Sequence, residues 1–128
     1  MRDVLTIAVA GACGSVSRYA MSALSYRVFG QRFAYGTLVV NVLGCLLLGF
    51  FMQLAASNEW VERSWRIPIT IGFFGAFTTF STFGYETMRY MQDGLWFLAS
   101  TNIVASVLLC LIAVWGGLSA GRWLFASV

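Results

Sequence analysis

The chain has no lysine and no histidine, and only 10 % of its 128 residues are charged. An ordinary soluble domain carries about 25 %. Without histidine, the commonest proton relay and the commonest metal ligand are gone. The scarcity of charge, set beside 59 % hydrophobic residues and a mean hydropathy of +0.79, excludes a soluble fold. A small domain buries only about 60–70 % of the surface its unfolded chain exposes, so this much apolar surface could not be hidden from water. Cysteine is also sparse. Cys13, Cys45 and Cys110 lie in apolar runs at wide spacing, with neither a zinc nor a disulfide pattern, and read as small packing residues. Metal clusters, nucleophile–base pairs, P-loops and dinucleotide fingerprints are missing, which leaves enzyme chemistry without candidate residues. All eight basic residues are arginines spread along an apolar chain. They make no patch, so the net charge of +3 does not point to nucleic acid.

What is present is aromatic and helical. Aromatics at 16 % exclude disorder, and the length excludes a large second domain. Residues 1–128 show no repeat, linker or low-complexity segment and read as one domain. A membrane span needs about 20 apolar residues, and four spans with short connections fill the chain.

The first helix is expected over residues 4–26. Arg2, the apolar run 4–9 and the triplet Ala8-Val9-Ala10 mimic a short secretory signal, but the pattern continues to Tyr26 without a break and reads as a span. It is rich in small residues, and pairs such as Ala10/Gly14 and Gly11/Ser15 let backbones approach closely in lipid. A polar loop with Arg27, Gly30, Gln31 and Arg32 follows. The second helix is expected over 36–56, apolar apart from Thr37 and Asn41. The charged stretch 57–66 reads as an interfacial connection, with Trp60 and Trp65 at headgroup level.

The third helix, expected over 67–91, is the unusual one. Pro68 suits its start. Residues 72–84 then carry three glycines and four Ser/Thr hydroxyls at membrane depth. Glycine costs about 1 kcal/mol against alanine in a helix, and hydroxyls compete for backbone groups. A break is expected at 75–79, tolerable only where it is buried in protein or lines a wet cavity. The fourth helix is expected over 95–125, long enough to tilt.

Arginines set orientation through their bias between sides. Arg2, Arg63, Arg66 and Arg122 fall on one side; Arg27, Arg32, Arg89 and the snorkelling Arg18 fall on the other. The even split implies insertion both ways up and an antiparallel two-fold dimer.

Polar groups inside spans are functional candidates by default. Asn41 either bonds to a neighbouring helix or donates to a solute. Asn102, Ser106 and Cys110, spaced by four, share one helical stripe and serve either packing or a polar path. Thr78, Thr79, Ser81 and Thr82 alternate with Phe77, Phe80 and Phe83. Phe80 and Phe83 share a face if helical, and their positive ring edges can meet an anion; core packing is the plainer role. Glu86 and Arg89 are spaced to pair with one another, and Arg18 needs a partner or a wet vestibule. Amides, hydroxyls and ring edges with no acidic group among them favour an anion or a neutral polar solute over a cation.

The stretch GTLVVN at 36–41 and the run GFFGAFTTFSTF at 72–83, followed by Glu86, resemble the bacterial Fluc/CrcB fluoride channels over essentially the whole chain. The resemblance implies an all-α membrane protein of four spans with a broken third helix. It implies an antiparallel, dual-topology homodimer with two fluoride pores in the bacterial inner membrane, giving passive export of cytoplasmic fluoride and hence fluoride resistance. By resemblance, Phe80 and Phe83 present ring edges to the ion, and Asn41 lines the pore. Thr79, Ser81 and Thr82 form the hydroxyl run. Asn102, Ser106 and Cys110 form a polar track. Arg18 and Glu86 belong to the vestibule, and the backbone carbonyls of Gly75 and Thr78 hold a structural sodium ion. The chain departs from the pattern at Asn102 and Cys110, where an aromatic hydroxyl and a serine can occur, and at Ala76, where glycine is common. The resemblance implies no nucleic acid and no protein substrate. The rival reading is a small dual-topology multidrug/proton exporter, which needs a membrane carboxylate in the first helix; none follows Asp3 there.

Overall fold

The computed structural model describes residues 2–57 and 63–125. In chain order they form α1 (Arg2–Phe29), α2 (Tyr35–Ser57), α3 (Arg63–Ile67), a π-helical segment (Pro68–Phe74), α4 (Gly75–Phe77), α5 (Phe80–Gln92) and α6 (Trp96–Phe125). Among the described residues there is no strand. Four stretches are long and apolar enough to cross a membrane: Arg2–Phe29, Tyr35–Ala56, Ser64–Gln92 and Trp96–Leu124.

The connections are short and built on glycine. Gly30 takes a φ of 81° and its N–H closes on the Tyr26 carbonyl at 3.0 Å, ending α1. Gly94, with φ 74°, turns α5 into α6, where the Leu95 N–H reaches back to the Tyr90 carbonyl at 2.8 Å. This is the six-to-one closure of a glycine C-cap. Trp65 is exposed, as suits a headgroup-level indole; Trp60 lies outside the described residues.

The third span departs from expectation at its start. The helix already runs at Arg63, before Ile67, and Pro68 opens the π-helical segment instead of the span. A proline lacks the N–H for the helical ladder and its ring crowds the preceding turn. Widening the turn relieves both. Helix α4 follows at Gly75, whose N–H still reaches the Thr70 carbonyl five residues back, as in a π turn, and also that of Gly72.

Small residues set the packing, as the apolar solvent leaves close contact to drive helix association. The ridge of α1 crosses the π-helical segment so closely that a Cβ on Gly14 would run into the Phe73 carbonyl, and one on Gly72 would sit 2.9 Å from Ala10. At the other seam, a Cβ on Gly117 of α6 would strike the Leu46 carbonyl of α2. Few apolar side chains are buried, Val40, Phe74, Phe77 and Ala99 among them, while Val16, Leu111, Ile112 and Trp115 face outward. That is the expected distribution where lipid takes the place of water.

Candidate functional site

The helix breaks at Thr78 and Thr79, inside the expected 75–79 window. Thr78 takes φ −79° and ψ 158°, and Thr79 φ −148° and ψ 106°, both extended. Extended backbone at membrane depth needs partners for its polar groups, and Asn41 on α2 supplies them. The Thr79 N–H donates to Asn41 Oδ1 at 2.8 Å, while Asn41 Nδ2 donates to the Thr79 carbonyl at 3.1 Å. One side-chain amide thus pairs both backbone groups of one residue, as a neighbouring strand would. Of the two roles open to Asn41, bonding to a neighbouring helix is realised, through backbone atoms.

The second half of the span restarts with its own cap. Thr79 Oγ1 accepts from the Thr82 N–H at 3.2 Å and lies 2.8 Å from the Thr82 hydroxyl and 3.5 Å from that of Ser81. A threonine at the N-cap satisfies one of the helix's orphan donors. Thr78 Oγ1 donates to the Phe74 carbonyl at 2.9 Å on the other side of the break.

Beside the break lies a cleft of about 360 Å³. Asn41, Thr78 and Thr79 form its polar side, the rings of Phe80 and Phe83 one wall, and Ser106 with Cys110 of α6 the opposite one. The two rings lie 5.3 Å apart, centroid to centroid. Phe80 is 83 % exposed on the single chain, a large ring left uncovered in the middle of a span. The Ser106 hydroxyl is buried and has no partner within the protein. No carboxylate lines this cleft among the described residues.

The other sequence-derived candidates distribute around it. Ser81 and Thr82 are exposed at the start of α5. Asn102 is 1 % exposed and sits outside the cleft lining, donating to Thr87 Oγ1 at 2.9 Å. Its spacing does put it on the stripe of Ser106 and Cys110, but α5 covers that end. Arg18 is half-buried on α1. The spacing that invites a Glu86–Arg89 pair is not used: Arg89 approaches Asp93 at 3.9 Å, and Glu86 Oε1 accepts from the Tyr26 hydroxyl at 3.2 Å. Glu86 instead lines a second hollow of about 420 Å³ with Tyr26, Gln31, Phe33 and Tyr90. Sequence reasoning missed Tyr26, Thr87 and Cys45, whose partners lie on other helices. Cys45 joins Cys110 in lining the first cleft.

The break also bears on cation binding. Because the Thr79 N–H goes to Asn41, it does not continue the ladder to the Gly75 carbonyl. Gly75 itself is exposed, and the nearest atom to a Cβ placed there is 3.7 Å away. Freed backbone carbonyls on an open face are hard oxygen donors of the kind that hold sodium at broken membrane helices.

Four apolar spans, one of them broken and stitched by a neighbouring asparagine beside a largely apolar cleft with a few polar groups, define a multi-pass membrane protein of the transport class. Residues 5–118 match the family described as CrcB-like protein, Camphor Resistance (CrcB), and the chain belongs to that family. It is 47 % identical to the protein named fluoride-specific ion channel FluC of Geobacter sulfurreducens, over 97 % of this chain and 100 % of that one. It is 42 % identical to the same-named protein of Geotalea daltonii, over 97 % and 100 %. A third protein of that name, from Dehalococcoides mccartyi, is 45 % identical over 97 % of this chain and 95 % of its own.

Proposed function

We propose that this chain is a fluoride-selective ion channel of the bacterial inner membrane, a passive conduit and not an enzyme. The observation that carries the reading is the carboxylate-free cleft at the helix break, lined by an amide, hydroxyls and the rings of Phe80 and Phe83. The names of relatives that align along nearly the whole chain supply the ion. Fluoride is small and strongly hydrated, so each station on its path must return the hydrogen bonds that water gives up. Asn41 Nδ2 keeps a second hydrogen beyond the one given to Thr79. The unpartnered Ser106 hydroxyl can turn to donate. Phe80 and Phe83 offer positive edges in a dry stretch. Larger halides are refused by the width of the path. Ser81 and Thr82 extend the donors toward the mouth, and Arg18 and Glu86 belong to the vestibule.

The working unit in this reading is an antiparallel homodimer with two pores. The even arginine split supports dual insertion, and the uncovered Phe80 ring is a wall awaiting its counterpart. A structural sodium ion at the dimer centre fits the carbonyls of Gly75 and Thr78, freed by the break; bound there, it would neutralise converging carbonyl dipoles and pin the two breaks together.

Fluoride-electrode recording of efflux from liposomes holding the purified protein tests the reading. The expected result is rapid fluoride release with no matching chloride release. Equal release of both halides, or none of either, overturns it.

A further inference from the structure

Cys45 lies one helical turn beyond Asn41 on α2, and Cys110 one turn beyond Ser106 on α6. Both line the cleft at the break, one from each of two helices packed along their length. The seam is held close by Gly117 against Leu46 and by Gly49, where a Cβ would come 2.5 Å from the Val114 carbonyl. Two thiols therefore line one cleft from helices that cannot spread cheaply. Both are unoxidised.

We propose that Cys45 and Cys110 form a two-thiol site for a soft, closed-shell, thiophilic cation of the mercuric type, and that loading it closes the cleft to anions. The closing half rests on the channel reading given above. The donor set suits this class of ion and no harder one. Thiolates select soft metals. Structural zinc is almost always four-coordinate, and the described residues hold no group of three or more histidines, cysteines or acids. A mercuric ion is satisfied by two sulfurs in a line. Its bis-thiolate complex is neutral, which matters where Leu48, Val107 and Leu111 complete the wall, since an unpaired charge there would be expensive.

The step balances without a redox partner. Each thiol gives its proton to water, two sulfur–mercury bonds form, and the ion sheds two ligands, waters from the aquo ion or chlorides from mercuric chloride. Oxidation states do not change. The product sits one turn from Asn41, in the volume the anion would cross.

The test uses full-length Cys13→Ser protein as background, since Cys13 is an exposed thiol on α1 apart from the cleft. Mercuric chloride is titrated while sulfur-to-mercury charge-transfer absorbance and remaining free thiols are read. The expected result is one ion taken up per chain with both thiols consumed together, and loss of that tight stage when Cys45→Ser or Cys110→Ser is added. Uptake of two ions per chain, or uptake unchanged by either substitution, overturns the site. In liposomes, mercuric ion should stop fluoride efflux from the background protein and dithiothreitol should restore it. Within each single-thiol variant, efflux with and without mercury should be the same. Tight binding with undiminished efflux overturns the closing half. Absent efflux before any mercury is added would instead count against the channel reading, and the absorbance titration would still decide the two-thiol site.

Discussion

The cleft at the helix break and the hollow beneath Tyr26 are similar in size, about 360 and 420 Å³, yet their linings are opposite. The second holds Glu86 between phenols and opens beside the Gln31 loop. One Glu86 oxygen accepts from Tyr26, and the other is buried without a protein partner. The first has no carboxylate; an amide, hydroxyls and thiols are set there among rings and aliphatic side chains. Negative charge is tolerable for an anion path at a mouth, where water and salt screen it. Deep in the span the same charge would act at low dielectric. In the proposed channel, the contrast separates a place where fluoride would arrive hydrated from a place where it would be stripped.

The hardest blow to that contrast is Asn41→Asp, which moves a carboxylate into the dry cleft. At an effective dielectric of about 20 and a separation of about 4 Å, repulsion is about 4 kcal/mol, so efflux should fall roughly a thousandfold. Liposome efflux checks this; normal conduction would remove Asn41 from the path. Next come Phe80→Ile and Phe83→Ile, which keep bulk but lose the ring quadrupole. A loss of about 1.4 kcal/mol corresponds to about tenfold slower efflux with assembly intact by size-exclusion chromatography. Unchanged efflux in both variants would sink the ring-edge assignment.

Ser106 and Asn102 give a paired test one turn apart on α6. Ser106→Ala removes a hydroxyl with no protein partner, so thermal unfolding in detergent should be unmoved while efflux slows. Asn102→Ala strips a donor from buried Thr87 and should cost about 1–3 kcal/mol of stability. The reverse pattern would make Ser106 a packing residue. The smallest effect is expected for Glu86→Gln, which keeps an acceptor for Tyr26 and removes a charge from the wetter hollow. Efflux should stay within about threefold, with the difference fading at high salt. A complete block would place the critical barrier at the mouth.

The span count and the position of the break were legible because each is local. Glycines and hydroxyls crowd 72–84, and apolar runs have a fixed length to fill. The cap at Thr79 was less so, since the run offers four hydroxyls and only the folded chain selects which one meets the Thr82 N–H. The π-helical turn at Pro68 was hidden: proline near the start of a span reads as an ordinary helix opening, and only the helix already running at Arg63 forces the wider register. Pairings between distant helices stayed dark. Glu86 bonds Tyr26 sixty residues away in sequence, and local spacing offered Arg89 instead. Cys45 and Cys110 looked isolated for the same reason, because nothing in their spacing says that α2 and α6 lie face to face.

The reciprocal bonding of Asn41 has a further meaning for how an ion is recognised. A free asparagine in a pore could swing its amide toward whatever passed, offering oxygen to a cation and nitrogen to an anion. Here one lone pair of the oxygen is taken by the Thr79 N–H and one amide hydrogen by the Thr79 carbonyl. The planar group is locked at both ends. What it leaves over is one amide hydrogen and one oxygen lone pair, each aimed in a fixed direction and unable to rotate. The stitch that mends the helix therefore also fixes the directions in which the residue can still donate and accept.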